Sequence, residues 1–162
     1  MSVWQPAYIG VGSNLGEPRR EVERALGELT QLPRSCCLVR SRLYASRPFG
    51  PVVQPDYVNA AAGILTQLSA PELLAALRAL EAVFGRPAQR ERWGPRVLDL
   101  DLLALGCERR AHPELTLPHP GIVERNFVLY PLFDIAPDLE LPGLGRVTEL
   151  KARVTSAGLT LL

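Results

Sequence analysis

The segment RVLDLDLLALG, residues 96–106, constrains the fold more than any other, because it combines the composition of a buried strand with two carboxylates. Side chains alternate along a strand, so Asp99 and Asp101 share one face and the intervening leucines share the other. At a spacing of roughly 6–7 Å, two carboxylates on one face repel each other unless a cation lies between them. The chain must therefore bury the leucine face and leave the aspartate face accessible to a counter-charge.

The order of hydrophobic patterns predicts an α+β fold built on one antiparallel sheet. Strand and amphipathic helix patterns follow the order β-α-β-β-α-β, which is typical of a ferredoxin-like sheet with helices packed on one face. The predicted strands are residues 7–13, 37–50, 56–68 and 96–106. The predicted helices are 17–32 and 69–85, with Ser69 capping the second. An extended segment at 114–120, a short helix at 125–137 and a short C-terminal extension to residue 162 follow.

Length and composition indicate a single domain over residues 1–162. Hydrophobic residues make up 47% of the chain, enough for a core, and the net charge of +1 gives no sign of a nucleic-acid partner. There is no signal-peptide pattern, and no apolar run reaches the ~20 residues that a membrane span requires. Cys36, Cys37 and Cys107 form neither a disulfide framework nor a metal motif, which fits a reducing compartment. We therefore expect a cytoplasmic protein without membrane or nucleic-acid partners.

The aspartate pair admits two interpretations. In one, Asp99 and Asp101 lie on the wet face of an edge strand and pair with nearby arginines. In the other, they coordinate magnesium, a hard cation that takes oxygen ligands, beside a polyphosphate. The polar segment at 86–95 favours the second interpretation, because it is rich in arginines that suit bidentate phosphate binding. These arginines, with one at the start of the strand, are Arg86, Arg90, Arg92 and Arg96.

Two common nucleotide-binding motifs are absent from the sequence. Three residues separate Gly12 from Gly16 in the string GVGSNLG, so it does not match the dinucleotide fingerprint. A P-loop requires a lysine after its glycines, and the only lysine is Lys151. Any nucleotide must therefore be held by arginines and metal. Segment 86–95 then fits a lid that closes over phosphates, with an ordinary solvated loop as the alternative.

Several aromatic and polar residues gain a function only if they share a ligand. Aromatic rings sandwich a planar ring system well, and an amide can match its hydrogen-bonding edge. Taken singly, each of these residues is ordinary: Tyr57, Asn59, Trp93 and Phe127. His119 lies in a proline-framed turn, where a histidine is either structural or a phosphate contact.

The string RWGPRVLDLDLL, residues 92–103, closely resembles the signature of the 6-hydroxymethyl-7,8-dihydropterin pyrophosphokinases of folate biosynthesis. Four further segments resemble the same family in order and spacing: residues 8–16, 46–61, 115–121 and 125–139. The resemblance implies a monomeric ferredoxin-like enzyme that uses two magnesium ions and ATP. It also implies that the pterin hydroxymethyl oxygen attacks the β-phosphorus of ATP, so that pyrophosphate is transferred and AMP leaves.

The resemblance also implies roles for individual residues. Asp99 and Asp101 match the family's magnesium-binding positions. The positions that engage phosphates are matched by Arg86, Arg92 and Arg96, and others near the nucleotide by Glu81, Thr116, His119 and Arg125. The pterin pocket, with two rings stacked on the pterin and an asparagine at its edge, is matched by Ser46, Phe49, Tyr57, Asn59, Trp93 and Phe127.

This chain departs from the family pattern around the nucleotide. Basic residues are common in the family where this chain has Ala88, Gln89 and Glu114, glutamine is common at Arg78, and an aromatic residue at Pro120. These departures leave the adenine and ribose contacts unassigned, while the metal pair and the pterin positions are intact.

Two other classes of function share parts of this pattern. A ferredoxin-like RNA-binding module would need exposed aromatics on its strands and a basic surface, and the sequence has neither. A metal-dependent nucleotidyl transferase could use the same aspartate pair, but it would release pyrophosphate rather than AMP. The products formed from ATP therefore distinguish a pyrophosphokinase from an RNA-binding module and from a nucleotidyl transferase.

Overall fold

A six-stranded antiparallel sheet occupies the centre of the structure, a computed structural model that describes residues 3–48, 50–51, 53–85 and 97–162. The strands of this part of the chain are β1 (Gln5–Ser13), β2 (Ser35–Arg40), β3 (Tyr44–Ser46), β4 (Tyr57–Thr66), β5 (Asp99–Leu105), β6 (Arg110–His112), β7 (Leu115–Leu117), β8 (Glu140–Leu141), β9 (Gly145–Arg146) and β10 (Leu159–Leu161). The central sheet runs β10-β3-β4-β1-β5, with β2 also paired to β4. The expected antiparallel sheet is therefore present, and β6–β7 and β8–β9 form separate hairpins.

The prediction of one continuous strand over residues 37–50 is wrong, because the backbone hydrogen bonding to β4 is interrupted at Ser41. The Ser41 N–H donates to the Ala61 carbonyl over 2.9 Å, and the Ser41 hydroxyl accepts the Ala61 N–H over 2.8 Å. A side chain thus replaces a backbone partner at this point. Two short strands result, β2 and β3, which pair with successive halves of β4.

Helices α1 (Pro18–Leu29) and α2 (Ala70–Val83) pack on one face of the sheet and bury its leucine face. The predicted cap of α2 is confirmed: the Glu72 N–H donates to the Ser69 hydroxyl over 3.3 Å, and the Ser69 N–H donates to the Glu72 carboxylate over 3.0 Å. Alternate leucines of the aspartate strand, Leu98 and Leu100, are buried in this core, as their spacing predicts. None of the helices in the described segments is long and apolar enough to cross a membrane.

The opposite face of the sheet carries helices as well, so the expectation of helices on one face alone is wrong. Helices α3 (Asn126–Ile135) and α4 (Val147–Ala152) lie there, preceded by a short 3-10 helix, Ile122–Glu124. Their leucines form a second hydrophobic core with Leu103 of β5. Because Leu103 shares its face with Asp99 and Asp101, α3 forms a wall beside the two carboxylates.

Candidate active site

Two glycines of β1 lie directly opposite the aspartates. In the antiparallel pairing of β1 with β5, Gly12 is the partner of Asp99 and Gly10 is the partner of Asp101. A Cβ at Gly10 would lie 3.8 Å from the Cβ of Asp101, and one at Gly12 would lie 3.3 Å from the Asn59 side-chain oxygen. The missing side chains leave an open floor beside the carboxylates. These glycines thus shape a cavity, a role that their loop-like spacing in the sequence does not reveal.

A cavity opens over this floor, between the sheet and the start of α3, and we call it the central cavity. It brings together seven of the residues expected in the site: Ser46, Tyr57, Asn59, Asp99, Asp101, Arg125 and Phe127. Arg125, expected near the nucleotide, thus lies with residues expected to bind the pterin, and its guanidinium sits 5.9 Å from the centre of the Phe127 ring. The remaining walls come from Gly10, Val11, Gly12, Arg47, Ala60, Ala61, Leu103 and Val128.

A buried hydrogen bond orients the polar edge of the central cavity. The Asn59 amide nitrogen donates to the Ser46 hydroxyl over 2.7 Å, and both side chains are buried. Strand pairing between β3 and β4 supports this contact, because Ser46 lies opposite Tyr57 and Tyr44 lies opposite Asn59. With the amide nitrogen on Ser46, the amide oxygen of Asn59 lies over Gly12, on the cavity side.

A second cavity, which we call the groove, lies on the other side of Asp101. Helix α2, strand β5 and the β6–β7 hairpin form its walls. It contains three of the residues expected near the nucleotide, Glu81, Thr116 and His119, and three of the departures from the family pattern, Arg78, Glu114 and Pro120. The aspartate is shared, since Asp101 lines both the groove and the central cavity.

Glu81 is a buried carboxylate that holds the aspartate strand in place. Only 2% of the residue is exposed, and its carboxylate accepts the backbone N–H of Leu100 over 2.9 Å. Leu100 lies between Asp99 and Asp101, so this hydrogen bond links the last turn of α2 to the strand segment that carries both aspartates. Glu81 therefore sets the position of the pair relative to the groove.

His119 presents a donor to the groove. Its Nδ1 accepts the Gly121 N–H over 3.0 Å, so the proton of the neutral ring resides on Nε2. Burial, together with the positive charge of Arg125, lowers the pKa of His119, while the negative charge of Asp99 opposes that shift. The ring is consequently neutral at neutral pH and offers an Nε2–H donor to a ligand oxygen.

The two aspartates offer only part of a magnesium coordination shell. Among the described residues, no three His, Cys, Asp or Glu side chains cluster closely enough to hold a metal ion by themselves. Magnesium in phosphoryl-transfer sites is bound by one or two carboxylates, with substrate phosphates and water completing its octahedron. The donor set of Asp99 and Asp101 fits a metal that arrives with a phosphate ligand.

Asn14 is a supporting residue that the sequence gave no signal for. Its side-chain nitrogen donates to the Gln54 side-chain oxygen over 2.8 Å and to the Pro55 carbonyl over 2.9 Å. The residue follows β1 and is buried, and its partners lie just before Tyr57. Asn14 thus ties the segment leading into the central cavity to the end of β1.

Part of the expected site lies outside the described residues. This applies to the candidate phosphate-binding arginines, to two pterin-pocket residues and to two of the family departures. The arginines are Arg86, Arg92 and Arg96, the pterin-pocket residues are Phe49 and Trp93, and the family departures are Ala88 and Gln89.

Comparison with known proteins places these features in a family. Residues 8–137 match the model of the 7,8-dihydro-6-hydroxymethylpterin-pyrophosphokinase (HPPK) family. The chain is 44% identical over 155 residues to the 2-amino-4-hydroxy-6-hydroxymethyldihydropteridine pyrophosphokinase of Pseudomonas aeruginosa, covering 96% of this chain and 95% of that protein. The Haemophilus influenzae protein of the same name is 46% identical over 144 residues, with 89% of each chain covered.

Solved structures give the same picture for the fold. The wild-type HPPK-DHPS protein of Plasmodium falciparum superimposes on 94% of this chain with a TM-score of 0.72 at 11% identity. A second crystal structure of that protein, with pteroate, gives a TM-score of 0.74. This chain spans 41% and 43% of those longer chains.

Proposed function

This chain belongs to the 7,8-dihydro-6-hydroxymethylpterin-pyrophosphokinase family, and from that premise we propose how its two cavities divide the reaction. The enzyme transfers pyrophosphate from ATP to the hydroxymethyl group of 6-hydroxymethyl-7,8-dihydropterin and releases AMP, a step of folate biosynthesis. The central cavity holds the pterin and the groove holds ATP. Asp99 and Asp101 would hold magnesium, and Asp101 lies where the two cavities meet.

The shared position of Asp101 is the observation that carries this division. A phosphate bound at Asp101 from the groove side faces an acceptor bound in the central cavity. Catalysis of phosphoryl transfer depends mainly on positioning the two reactants in line and on stabilising the charge of the transferred group. A single carboxylate common to both cavities supports that geometry.

In the central cavity, the sheet and α3 supply complementary contacts for a planar ring. Tyr57 and Phe127 line it from β4 and from the start of α3, and they stack on the pterin. The Asn59 oxygen, held by the Ser46 contact, accepts an N–H of the ring edge. Phe49 and Trp93 complete the pocket in this proposal, on the basis of the family resemblance.

In the groove, the chain contacts the nucleotide mainly through hydrogen-bond donors. The His119 Nε2–H donates to a phosphate or ribose oxygen, and Thr116 lines the wall beside it. Arg125 approaches the phosphates from the central cavity. Glu81 contributes by positioning β5 beside the groove. The phosphate-binding arginines are Arg86, Arg92 and Arg96.

Two magnesium ions complete the charge balance in this proposal. Bound metal would neutralise charge on the polyphosphate and polarise its phosphoryl oxygens. The carboxylates of Asp99 and Asp101 hold that charge beside the acceptor hydroxyl, and the apolar leucine face behind them anchors the strand in the core.

Our proposal also covers the topology of the sheet, the domain, the oligomeric state and the cellular compartment. The strand order, in which β4 lies between β1 and the β2–β3 edge, supports a ferredoxin-like split βαβ topology. We assign the chain to a single pyrophosphokinase domain over residues 1–162 that acts as a monomer in the cytoplasm. Cys107 is a free, exposed cysteine, which supports a reducing compartment.

Product analysis tests the division between the cavities. The protein is incubated with magnesium, ATP and 6-hydroxymethyl-7,8-dihydropterin, and the nucleotide and pterin products are quantified together. One AMP should form for each pterin diphosphate. ADP, or free pyrophosphate in place of AMP, contradicts a geometry in which the pterin alcohol faces the β-phosphorus.

A further inference from the structure

Asn126, the first residue of α3, connects the central cavity to residues 155–161, which we call the C-terminal segment. Its side-chain nitrogen donates to the backbone carbonyls of Thr155 and Ala157, over 2.9 and 3.0 Å. We propose that Asn126 is a positioning residue for the pterin, because this pair of hydrogen bonds holds the neighbouring ring of Phe127 where it stacks. The inference rests on the proposed function, since it takes the central cavity to hold the pterin.

The hydrogen bonds of Asn126 differ from those that an asparagine usually makes at the start of a helix. There, the side-chain oxygen ordinarily accepts a backbone N–H of the first turn. In α3 the cap position belongs to Arg125, whose side chain makes no cap, and Asn126 donates through its nitrogen instead. Two carbonyl acceptors match the two N–H bonds of one amide. The side chain of Asn126 therefore joins two parts of the chain and does not cap the helix.

The C-terminal segment is also attached to a second wall of the central cavity. Its strand β10 pairs with β3, so that Leu159 lies opposite Ser46, which lines the cavity. Between the tether and the strand the chain turns at Gly158, which has a positive φ of 75°. The Cδ and Cγ of Arg47 lie 3.5 and 3.6 Å from the point where a Cβ would stand on that glycine. The segment thus bridges α3 and the end of β3.

This bridge affects Phe127 because the ring lines two cavities. One is the central cavity, and the other, which we call the outer cavity, has Thr155 and Ala157 in its walls. Open space on that side means that core packing alone does not fix the partly buried ring. Further along α3, Leu129 and Leu132 are fully buried and anchor the helix in its core. Loss of the tether should therefore loosen the first turn of α3 and leave the rest folded.

Two variants of the full-length enzyme separate the tether from an effect on the helix itself. Asn126→Ala removes both N–H donors. Asn126→Asp keeps the size of the side chain but turns an oxygen toward the same carbonyls, while a carboxylate in the first turn favours the helix. At saturating ATP and magnesium, the KM for 6-hydroxymethyl-7,8-dihydropterin should rise about fivefold in Asn126→Ala and at least as much in Asn126→Asp. The kcat should stay within about twofold of the parent value, as expected for a loss of uniform binding.

Two further variants show whether Asn126 acts through Phe127. Thr148→Val is the matched control: the Thr148 hydroxyl donates to the Pro137 carbonyl, an exposed tether of the same kind that lines none of the three cavities. It should leave the KM for the pterin within about twofold of the parent value, while chemical denaturation reports the stability of every variant. In a Phe127→Ala background, Asn126→Ala should raise that KM by less than about twofold more, because the ring on which it acts is gone.

The outcomes that contradict this role are distinct from those that contradict the pocket. A parent-like KM for the pterin in Asn126→Asp would place the effect on the start of the helix and overturn the proposal. An unchanged KM in Asn126→Ala, an equal rise in Thr148→Val, or full additivity with Phe127→Ala would overturn it too. Asn59→Ala is measured in parallel: if it leaves pterin affinity intact, the pocket assignment and the proposed function are wrong. If affinity falls in Asn59→Ala and not in Asn126→Ala, only the role of Asn126 is wrong.

Discussion

The central cavity and the groove differ in how their charges are balanced. Among the described residues, the central cavity is lined by two carboxylates, Asp99 and Asp101, and by two guanidiniums, Arg47 and Arg125. The groove is lined by the carboxylates of Glu81, Asp101 and Glu114 and by one guanidinium, that of Arg78. The charges that line the central cavity are thus balanced, which suits a neutral heterocycle.

This difference indicates that the two substrates depend on different partners. His119 is neutral and adds no positive charge to the groove. An anionic polyphosphate beside three carboxylates requires cations from elsewhere, which are magnesium and the arginines of the proposal. Binding in the groove should therefore be sensitive to metal, whereas binding in the central cavity should depend on stacking and hydrogen bonds.

Replacing the shared carboxylate should have the largest effect. Asp101→Asn should lower kcat about 10³-fold, because the metal loses a ligand at the point where the cavities meet, while pterin binding survives in part. Steady-state rates across a magnesium titration, with calorimetry for the pterin, measure both quantities. Asp138→Asn, an exposed aspartate that lines neither cavity, is the matched control. Parent-like turnover in Asp101→Asn would remove this residue from the metal site.

Disrupting the ring edge should separate the two cavities. Asn59→Ala should weaken pterin binding by about 1–3 kcal/mol, because a ring N–H loses its acceptor, and should leave ATP binding unchanged. Ser46→Ala keeps the amide but frees its orientation, so we expect a smaller loss. Equilibrium binding of each substrate to both variants gives the answer. A larger effect on ATP than on pterin would reverse the assignment of the cavities.

Removing the Glu81 carboxylate should show how far stability and ATP binding in the groove depend on the position of β5. Glu81→Ala leaves the Leu100 N–H without its buried acceptor, which should lower the free energy of unfolding by about 1–3 kcal/mol and raise the KM for ATP. Glu81→Gln retains a side-chain carbonyl that can accept the same N–H, so it should be less destabilised. Chemical denaturation compares the two variants. Equal stability of Glu81→Ala and the parent protein would contradict a positioning role.

The smallest effect on stability concerns Tyr44, which pairs with Asn59 across strands β3 and β4. Burial and the hydrogen bond to Asp134 raise the pKa of Tyr44 from 10.0 to about 12. The folded state therefore retains the proton, so this contribution to stability is complete below pH 10 and is lost as the pH rises toward 12. Spectrophotometric titration should show a late tyrosine step that Tyr44→Phe removes. Identical titration curves for the parent protein and Tyr44→Phe would contradict the raised pKa of Tyr44.

The sequence predicts those features of the site that depend on local periodicity. The alternation around Asp99 and Asp101 correctly separates a leucine face from a carboxylate face, since the pleat of a strand is a local property. Ser69 and Glu72 likewise identify the start of α2 within three residues of sequence.

Features that depend on pairing between distant segments are not predictable in this way. Nothing local shows that Gly10 and Gly12 face the aspartates, because that follows from the register between β1 and β5. The break at Ser41 depends on a contact with Ala61, twenty residues along the chain. Arg47 lies beside Gly158 because the three-residue strand β10, too short for a periodic signal, pairs with β3.

The position of Asp101 in both cavities has a thermodynamic consequence. If each substrate binds more tightly when the other and the metal are present, the two binding equilibria are linked through one carboxylate. Linkage then requires reciprocity: the factor by which ATP raises the affinity for pterin equals the factor by which pterin raises the affinity for ATP. Either substrate can therefore report on the coupling, and an ATP analogue that does not react is sufficient to measure it.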